Sequence, residues 1–533
     1  MTHYGQNRGD SRSISILCSD VVVTSYGTLA AECSEDTANG EEPSPKDGPL
    51  LQLKWRRIIL DEAHTIKSRS TKWAKAAYKI KAERRWCVTG TVIHNHVNDV
   101  FSLLHFLDVR PWSSWAFWNR GIVANLESND LKRQRTAMSL IRDIISSVTL
   151  RRKKNTKDSR GERIVQLTKK TVELVQLTSS SQERDFYNAL HKRSRVQFDT
   201  YLSEGKVMHN YASILELLLR LRQACNHPYL VFAAAPSKDS AVMRDKDKLY
   251  KQFMEAGSSA EYVDKVFKDV QSGALGKALQ CPLCLDVIDD PVAPKECAHP
   301  VCRVCMMESL KRANKCPVCR VPISNESVMT LPRESRFSID LSKRWRSSAK
   351  IDELLKDVRE RQDVRNRSKG NGIGKTVIFS QFTSMLDLVG VALDRQSFKW
   401  LRIDGSVPQA QRALILQQFE NEDEKAKDSS NILLVSLRAG GVGLNLVAAS
   451  FAILLDIHWN PQVDAQAQDR IHRHGQTRDV LIKRYIIRDT VEEKLLKVQE
   501  RKQHIADGAL EVATDEDRKQ AKLSELKLLF SVS

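Results

Sequence analysis

A chain of 533 residues with 41% hydrophobic and 28% charged residues has the make-up of a soluble globular protein large enough for three or four domains. Its longest apolar runs, such as Tyr229 to Ala235, are too short to cross a bilayer, and Met1 to Ser13 carries no apolar segment behind a basic start, so a membrane protein and a signal peptide are not expected. The net charge of +18 points to a polyanionic partner, most simply nucleic acid, although charge alone is weak evidence and needs a motif beside it.

Taken from the start, Ile16 to Tyr26 reads as a buried strand followed by a turn, and Cys33 to Pro49 as a solvated loop. Next comes Trp55-Arg-Arg-Ile-Ile-Leu-Asp61-Glu62-Ala63-His64, a short apolar strand that delivers an Asp-Glu pair at its C-terminal end. That is the geometry of a Walker B site: the Asp holds Mg²⁺ and the Glu orients or deprotonates the attacking water. Alone, four residues could equally open a helix, with acids at the positive end of its dipole. From Leu131 to Leu230 apolar residues recur at helical spacing, as at Ile214, Leu217, Leu218 and Leu221. Within this stretch, Arg151 to Lys154 reads as a solvated charge run and Cys225 with His227 as a helix-end pair. Pro236 to Gln280 is mixed and polar.

Cys281-Pro-Leu-Cys284, Cys297-Ala-His299, Cys302-Arg-Val-Cys305 and Cys316-Pro-Val-Cys319 follow, and seven of the eleven cysteines fall in this stretch. A Cys-x-x-Cys turn brings two thiolates to one tetrahedral Zn²⁺, and two pairs close one structural site, so four pairs mean two zincs. Zinc thiolates rather than disulfides agree with a reducing compartment. The interleaved spacing resembles a RING finger. That resemblance implies one site from Cys281, Cys284, Cys302 and Cys305, and another from Cys297, His299, Cys316 and Cys319. It also implies that Leu283 and Arg320 face a ubiquitin-conjugating enzyme. No aromatic residue lies between Met306 and Lys315, where many RINGs carry a Trp.

Beyond it, Lys350 to Leu354 begins a helix and Arg359 to Gly374 reads as a basic linker. Gly370-Asn-Gly-Ile-Gly374-Lys375-Thr376 imitates a phosphate loop. Only three residues separate Gly370 from Gly374, and a strand rather than a helix follows, so it is not one. Ile432-Leu-Leu-Val435 leads to Gly440, Gly441 and Gly443, glycines that allow close approach of backbone to phosphate. Gln466-Ala-Gln-Asp469-Arg470-Ile-His472-Arg473-His474-Gly475-Gln476 carries two arginines three apart, which share a face if helical and suit a nucleotide's terminal phosphates. Thr490-Val-Glu-Glu493 is a capping-box pattern, and a charged helical tail closes the chain.

Together with Trp86 to Thr91, Leu150 to Lys153, Leu221 to Pro228, Val377 to Asp387 and Arg402 to Ser406, these segments resemble, in order, motifs Ib to VI of Swi/Snf-type superfamily-two DNA translocases that carry an inserted RING. The resemblance implies an α/β chain. A partial first RecA-like lobe (1–120) would precede a helical insertion and linker (121–275), the RING (276–325) and a second linker (326–374). A complete second lobe (375–510), with parallel strands at Val377, Ile432 and Ile453, and a tail (511–533) would follow. It implies ATP with Mg²⁺ at Asp61, Glu62, His64, Gly441, Gly443, Gln466, Arg470 and Arg473, with Asp61, Glu62, Arg470 and Arg473 catalytic. Its partners would be duplex DNA or chromatin and a ubiquitination substrate, in the nucleus. No phosphate loop precedes Asp61. Three readings therefore stand open: part of a translocase and ubiquitin ligase, an ATPase-dead ligase or chromatin scaffold, and a DNA-binding relic with a purely structural zinc module.

Overall fold

The computed structural model describes residues 2–3, 16, 18–34, 46–90, 97–126, 128, 130–152, 154, 156–233, 281–283, 291–294, 296–297, 299, 301–310, 314–324, 327–330, 345–367, 374–407, 409–421, 431–440, 443–508 and 515–531. The chain divides into two compact units, 1–151 with 510–515, and 152–509 with 516–533.

In the first unit, strands β1 (Lys54–Leu60) and β2 (Lys81–Cys87) run parallel, with Leu60 paired to Cys87 and Ile59 to Trp86. The crossover between them is α1 (Lys72–Lys79), capped by the Thr71 hydroxyl accepting the Ala74 amide. Its Ala74, Ala76 and Ala77 are fully buried, small enough for the helix to lie against Leu51, Leu60 and Ile66. Further helices follow, α2 (Val97–Leu107) and α3 (Leu131–Val148), around Phe101, Trp118 and Ile141. The buried strand expected at Ile16 to Tyr26 is corrected. Among the described residues only Val23 and Thr24 form a strand there, paired with Thr2–His3, and Val21 and Val23 are more than half exposed.

The second unit is built on a six-stranded parallel sheet. Its strands are β3 (Lys170–Leu177), β4 (Lys375–Ser380), β5 (Trp400–Ile403), β6 (Ile432–Ser436), β7 (Ala449–Leu454) and β8 (Val480–Ile487). They stand in the order β5-β6-β4-β7-β8-β3, all neighbours parallel. The central strands β4, β6 and β7 are buried at every residue, as parallel strands covered on both faces must be. At the entry to β4 a Cβ on Gly374 would come 2.6 Å from the Ser450 amide nitrogen, so only glycine fits there.

The helices of this unit include α4 (Ser181–Ser203), α5 (Tyr211–Asn226), α6 (Ala349–Arg367), α7 (Thr383–Arg395), α8 (Pro461–Ile471), α9 (Val491–Gly508) and α10 (Asp515–Phe530). A Ser180–Glu183 capping box starts α4, each residue satisfying the other's amide. A short antiparallel sheet of Pro291–Pro294, Val301–Cys302 and Val328–Thr330, with the helix Arg303–Leu310, forms the cysteine-rich module between α5 and α6.

Several expectations are corrected here. The stretch read at helical spacing, Leu131 to Leu230, contains β3, whose eight residues pair with β8 and complete the second sheet. The basic stretch from Arg359 is helical as far as Arg367, with Val358 and Arg365 buried. The charged tail is anchored, since Leu526, Leu529 and Phe530 are buried and Phe530 stacks on Phe198 at 4.6 Å. At Thr490 the hydroxyl accepts the Glu492 amide, while the Glu492 carboxylate accepts the Ile487 amide and meets Lys350. The strand expected after Gly374 is present as β4.

Candidate functional sites: an acidic strand end, an arginine helix and a paired cysteine cluster

In the first unit, β1 ends at Leu60 and hands the chain to Asp61 and Glu62 at the C-terminal edge of the two-stranded sheet. The Val88 amide donates to the Leu60 carbonyl at 2.8 Å and the Ala63 amide to the Val88 carbonyl at 3.0 Å, so the acidic turn is fastened to the end of β2. Glu62 has φ 47°, a left-handed conformation uncommon for a residue with a side chain and characteristic of functional turns. The Glu62 amide donates to Asp61 Oδ1, the Tyr26 hydroxyl donates to the Asp61 carbonyl, and His64 Nδ1 lies 3.3 Å from Glu62 Oε2. Asp61 is exposed, available to a cation.

In the second unit, α8 carries Gln466 and Arg470 but ends at Ile471, with His472 as its C-cap. Arg473 therefore lies beyond the helix, and the shared helical face expected for Arg470 and Arg473 does not form. Arg473 Nη1 reaches the Leu444 carbonyl at 3.5 Å, while the Arg470 carbonyl accepts the Leu446 amide, so both arginines are tied to the loop after Gly443. Gly443 has φ +59°, a backbone suited to glycine; Gly441 lies outside the described residues. Gln476 fixes the turn, its Nε2 donating to the carbonyls of Val447, Ala449 and Ile471. The sequence reading missed the partners of α8. Lys154 Nζ bonds Asp469 Oδ1 and the His472 carbonyl, Lys170 Nζ donates to Gln468 Oε1, and His472 Nε2 contacts the Thr168 carbonyl. The basic run that ends at Lys154 was a visible signal, but the partner of Lys154 lies 315 residues away.

The cysteine module brings together what the spacing separates. Ligand atoms of Cys297, His299, Cys316 and Cys319 all lie within 4.8 Å of one another, and those of Cys281, Cys302 and Cys305 do likewise. Cys284 lies outside the described residues. Cys281 of the first pair thus joins the third pair, and the second pair joins the fourth. Burial pushes the Cys297 thiol up to about 12, a cost that a divalent cation removes by taking the thiolate as ligand. Three thiols and an imidazole suit tetrahedral zinc, and the described cysteines are free of disulfides. Leu283 packs against the module's core of Val292, Val301 and Met306, and Arg320 is exposed.

Residues 2–230 match the SNF2-related domain, 280–319 the C3HC4-type RING finger and 352–475 the helicase conserved C-terminal domain. The chain belongs to the RING-bearing Swi/Snf group of superfamily two. DNA repair protein RAD5B of Arabidopsis thaliana is 42% identical to this Swi/Snf chain, over 99% of the chain and 40% of that protein. The human helicase-like transcription factor is 34% identical, over 96% of the chain and 48% of that protein. The chain thus spans less than half the length of these relatives. The solved Sulfolobus solfataricus SWI2/SNF2 ATPase core in complex with dsDNA aligns at 20% identity and a TM-score of 0.36, over 98% of this chain and 80% of that one. The SNF2-related match ends at 230, yet 152–230 packs with the second unit, because β3 is an edge strand of its sheet.

Proposed function

We propose that this chain is the RING ubiquitin ligase and second-lobe part of a nuclear, duplex-DNA-translocating ATPase that serves DNA repair. The observation that carries the reading is the interleaved convergence of cysteine pairs, in which Cys281 joins Cys302 and Cys305 while Cys297 and His299 join Cys316 and Cys319. Two zinc ions staple a module of this size, whose own apolar core is a handful of side chains. On that platform Leu283 and Arg320 form the contact for a ubiquitin-conjugating enzyme. The ubiquitinated protein would be a chromatin or replication partner.

For the motor, Asp61 would hold Mg²⁺, Glu62 would position the attacking water with His64 beside it, and Arg470 and Arg473 would neutralise charge developing on the terminal phosphate. Gly441, Gly443 and Gln466 would line the nucleotide. These 533 residues hold no Gly-x-x-x-x-Gly-Lys loop, so by themselves they turn over no ATP. The exposed cross-strand pair Ile59 (61%) and Trp86 (56%) supports an unfinished first lobe, since a two-stranded parallel sheet does not bury both faces. The same observation favours the second reading, a ligase and DNA-binding scaffold without a working motor.

The test is autoubiquitination by the purified chain and its Leu283→Ala variant, run beside ATPase assays with duplex DNA. Ubiquitin chains lost in the variant, with no ATP turnover, support the reading. DNA-stimulated hydrolysis would overturn its motor half, and the absence of ubiquitin chains with any conjugating enzyme would overturn its ligase half.

A further inference from the structure

The C-terminal end of α5 and the residues that lead into α6, which flank the RING in sequence, meet within the second unit. His227, the C-cap of α5, is buried, and its Nε2 meets the Arg346 carbonyl at 3.2 Å. Next to it, the Ser348 hydroxyl donates to the Asn226 carbonyl and Lys350 Nζ to Asn226 Oδ1. This clasp ties both ends of the RING-bearing segment to the C-terminal end of α5. The RING touches the same helical pair at its other end. Arg320 Nη1 lies 3.2 Å from His209 Nδ1, and its Nη2 donates to the His209 carbonyl, in the loop between α4 and α5. The sixteen residues of α5 separate those two points, about 24 Å at 1.5 Å per residue.

Arg320 does not reach that loop by chance of side-chain wandering alone. It sits at φ 64°, immediately after Cys319, with its amide bonded to the Cys316 carbonyl, so the zinc-ligand turn aims it. We propose that the α4–α5 loop parks the RING by holding Arg320, and that this contact is a brake on ubiquitin transfer. The proposal rests on the ligase reading, because Arg320 matters only where a conjugating enzyme must contact it. The chemistry of the brake is a cation held by a carbonyl and an imidazole nitrogen, acceptors that an incoming conjugating enzyme must replace. Both groups are exposed, and exposed polar pairs contribute at most about 1 kcal/mol, roughly fivefold in an equilibrium. Tethering at the clasp makes a contact of that strength sufficient for parking, since the RING re-finds the loop intramolecularly. A brake of that size is also reversible.

Opposite charges at position 209 test it on the whole chain. His209→Lys sets an ammonium against the Arg320 guanidinium and should release it. His209→Glu gives the guanidinium a carboxylate and should hold it more firmly. The first readout is phenylglyoxal labelling of Arg320 followed by peptide mass spectrometry. The second is the rate of autoubiquitination, with Leu283→Ala as the inactive control. His209→Lys should raise both rates about three- to fivefold over the starting chain, and His209→Glu should lower both. Equal labelling in all three proteins would overturn the parked contact. Labelling that responds while ubiquitination does not would overturn the brake and leave the ligase reading standing. Ubiquitin chains from none of the proteins would overturn the ligase reading and the brake with it.

Discussion

Lys154 and Asp469 are 315 residues apart in sequence, yet Lys154 Nζ lies 2.5 Å from Asp469 Oδ1 and 2.9 Å from the His472 carbonyl. The lysine thus caps the C-terminal end of α8, where a cation favours both the helix dipole and the carboxylate.

Charge reversal at either partner should loosen this end of α8 without unfolding the unit. Both side chains are about half exposed, so Lys154→Glu should cost under about 1 kcal/mol of global stability. It should speed hydrogen exchange across 468–476, and pairing it with Asp469→Lys should restore protection. Unchanged exchange in the single variant would show that the Thr168 and Lys170 contacts suffice.

Zinc content separates the two metal sites. The intact chain should bind two zinc ions, by elemental analysis after dialysis. Cys297→Ser or Cys316→Ser should remove one ion, and Cys281→Ser or Cys302→Ser the other, because each set shares one centre. Replacing Cys297 and Cys281 together should leave none. A chain that lost both ions on any single substitution would be folding its module cooperatively around the pair of metals.

Local chemistry was legible in the sequence and long-range pairing was not. The cysteine pairs could be read because ligand spacing is set within a few residues, and the acidic pair after β1 because an apolar strand announces it. Strand β3 was hidden inside a helical stretch although Val172 and Leu174 alternate with Thr171 and Glu173. Its pairing partner β8 begins about three hundred residues later, and no local signal reports that. The break of helix after Ile471 was equally obscure, since His472 is recruited by the Thr168 carbonyl across the fold. The anchoring of the tail depended on three residues, Leu526, Leu529 and Phe530, at helical spacing within a charged sequence.

Lys350 is the charge whose loss should be felt most. It is fully buried and donates to Glu492 Oε1 at 2.6 Å, to Asn226 Oδ1 and to the Leu455 carbonyl. Lys350→Met would leave Glu492 buried without its cation and cost roughly 3–5 kcal/mol. The double variant Lys350→Met, Glu492→Gln should recover part of that, because the amide still accepts from Ile487 and carries no charge. Urea unfolding of the three proteins measures both steps. A double variant as unstable as the single one would assign the loss to Asn226 and Leu455 rather than to the stranded carboxylate.

Acid should destabilise the second unit through two histidines. Burial lowers His227 to about 4, and burial, helped by Arg222, lowers His458 to about 4. Between about pH 6.5 and 4 the unfolded chain takes up protons at both histidines while the folded chain does not, so stability falls as pH falls through that window. Asp464 works in the opposite direction. Burial raises it to about 6, so below that pH the folded carboxyl binds a proton that the unfolded one does not until near 4, and stability returns. With the unfolded histidines half titrated at pH 6.5, going from pH 6.5 to 5 costs roughly 3 kcal/mol at the two histidines and returns roughly 1.2 at Asp464. For these three groups together the expected loss is roughly 2 kcal/mol, read as a lower urea midpoint at pH 5 than at pH 6.5; burial raises Asp456 and Glu492 too, and they return further stability as they protonate. Asp464→Asn removes the returning contribution and should steepen the fall. A midpoint that stayed level in the parent chain and in Asp464→Asn would mean that the two imidazoles take up protons inside the fold.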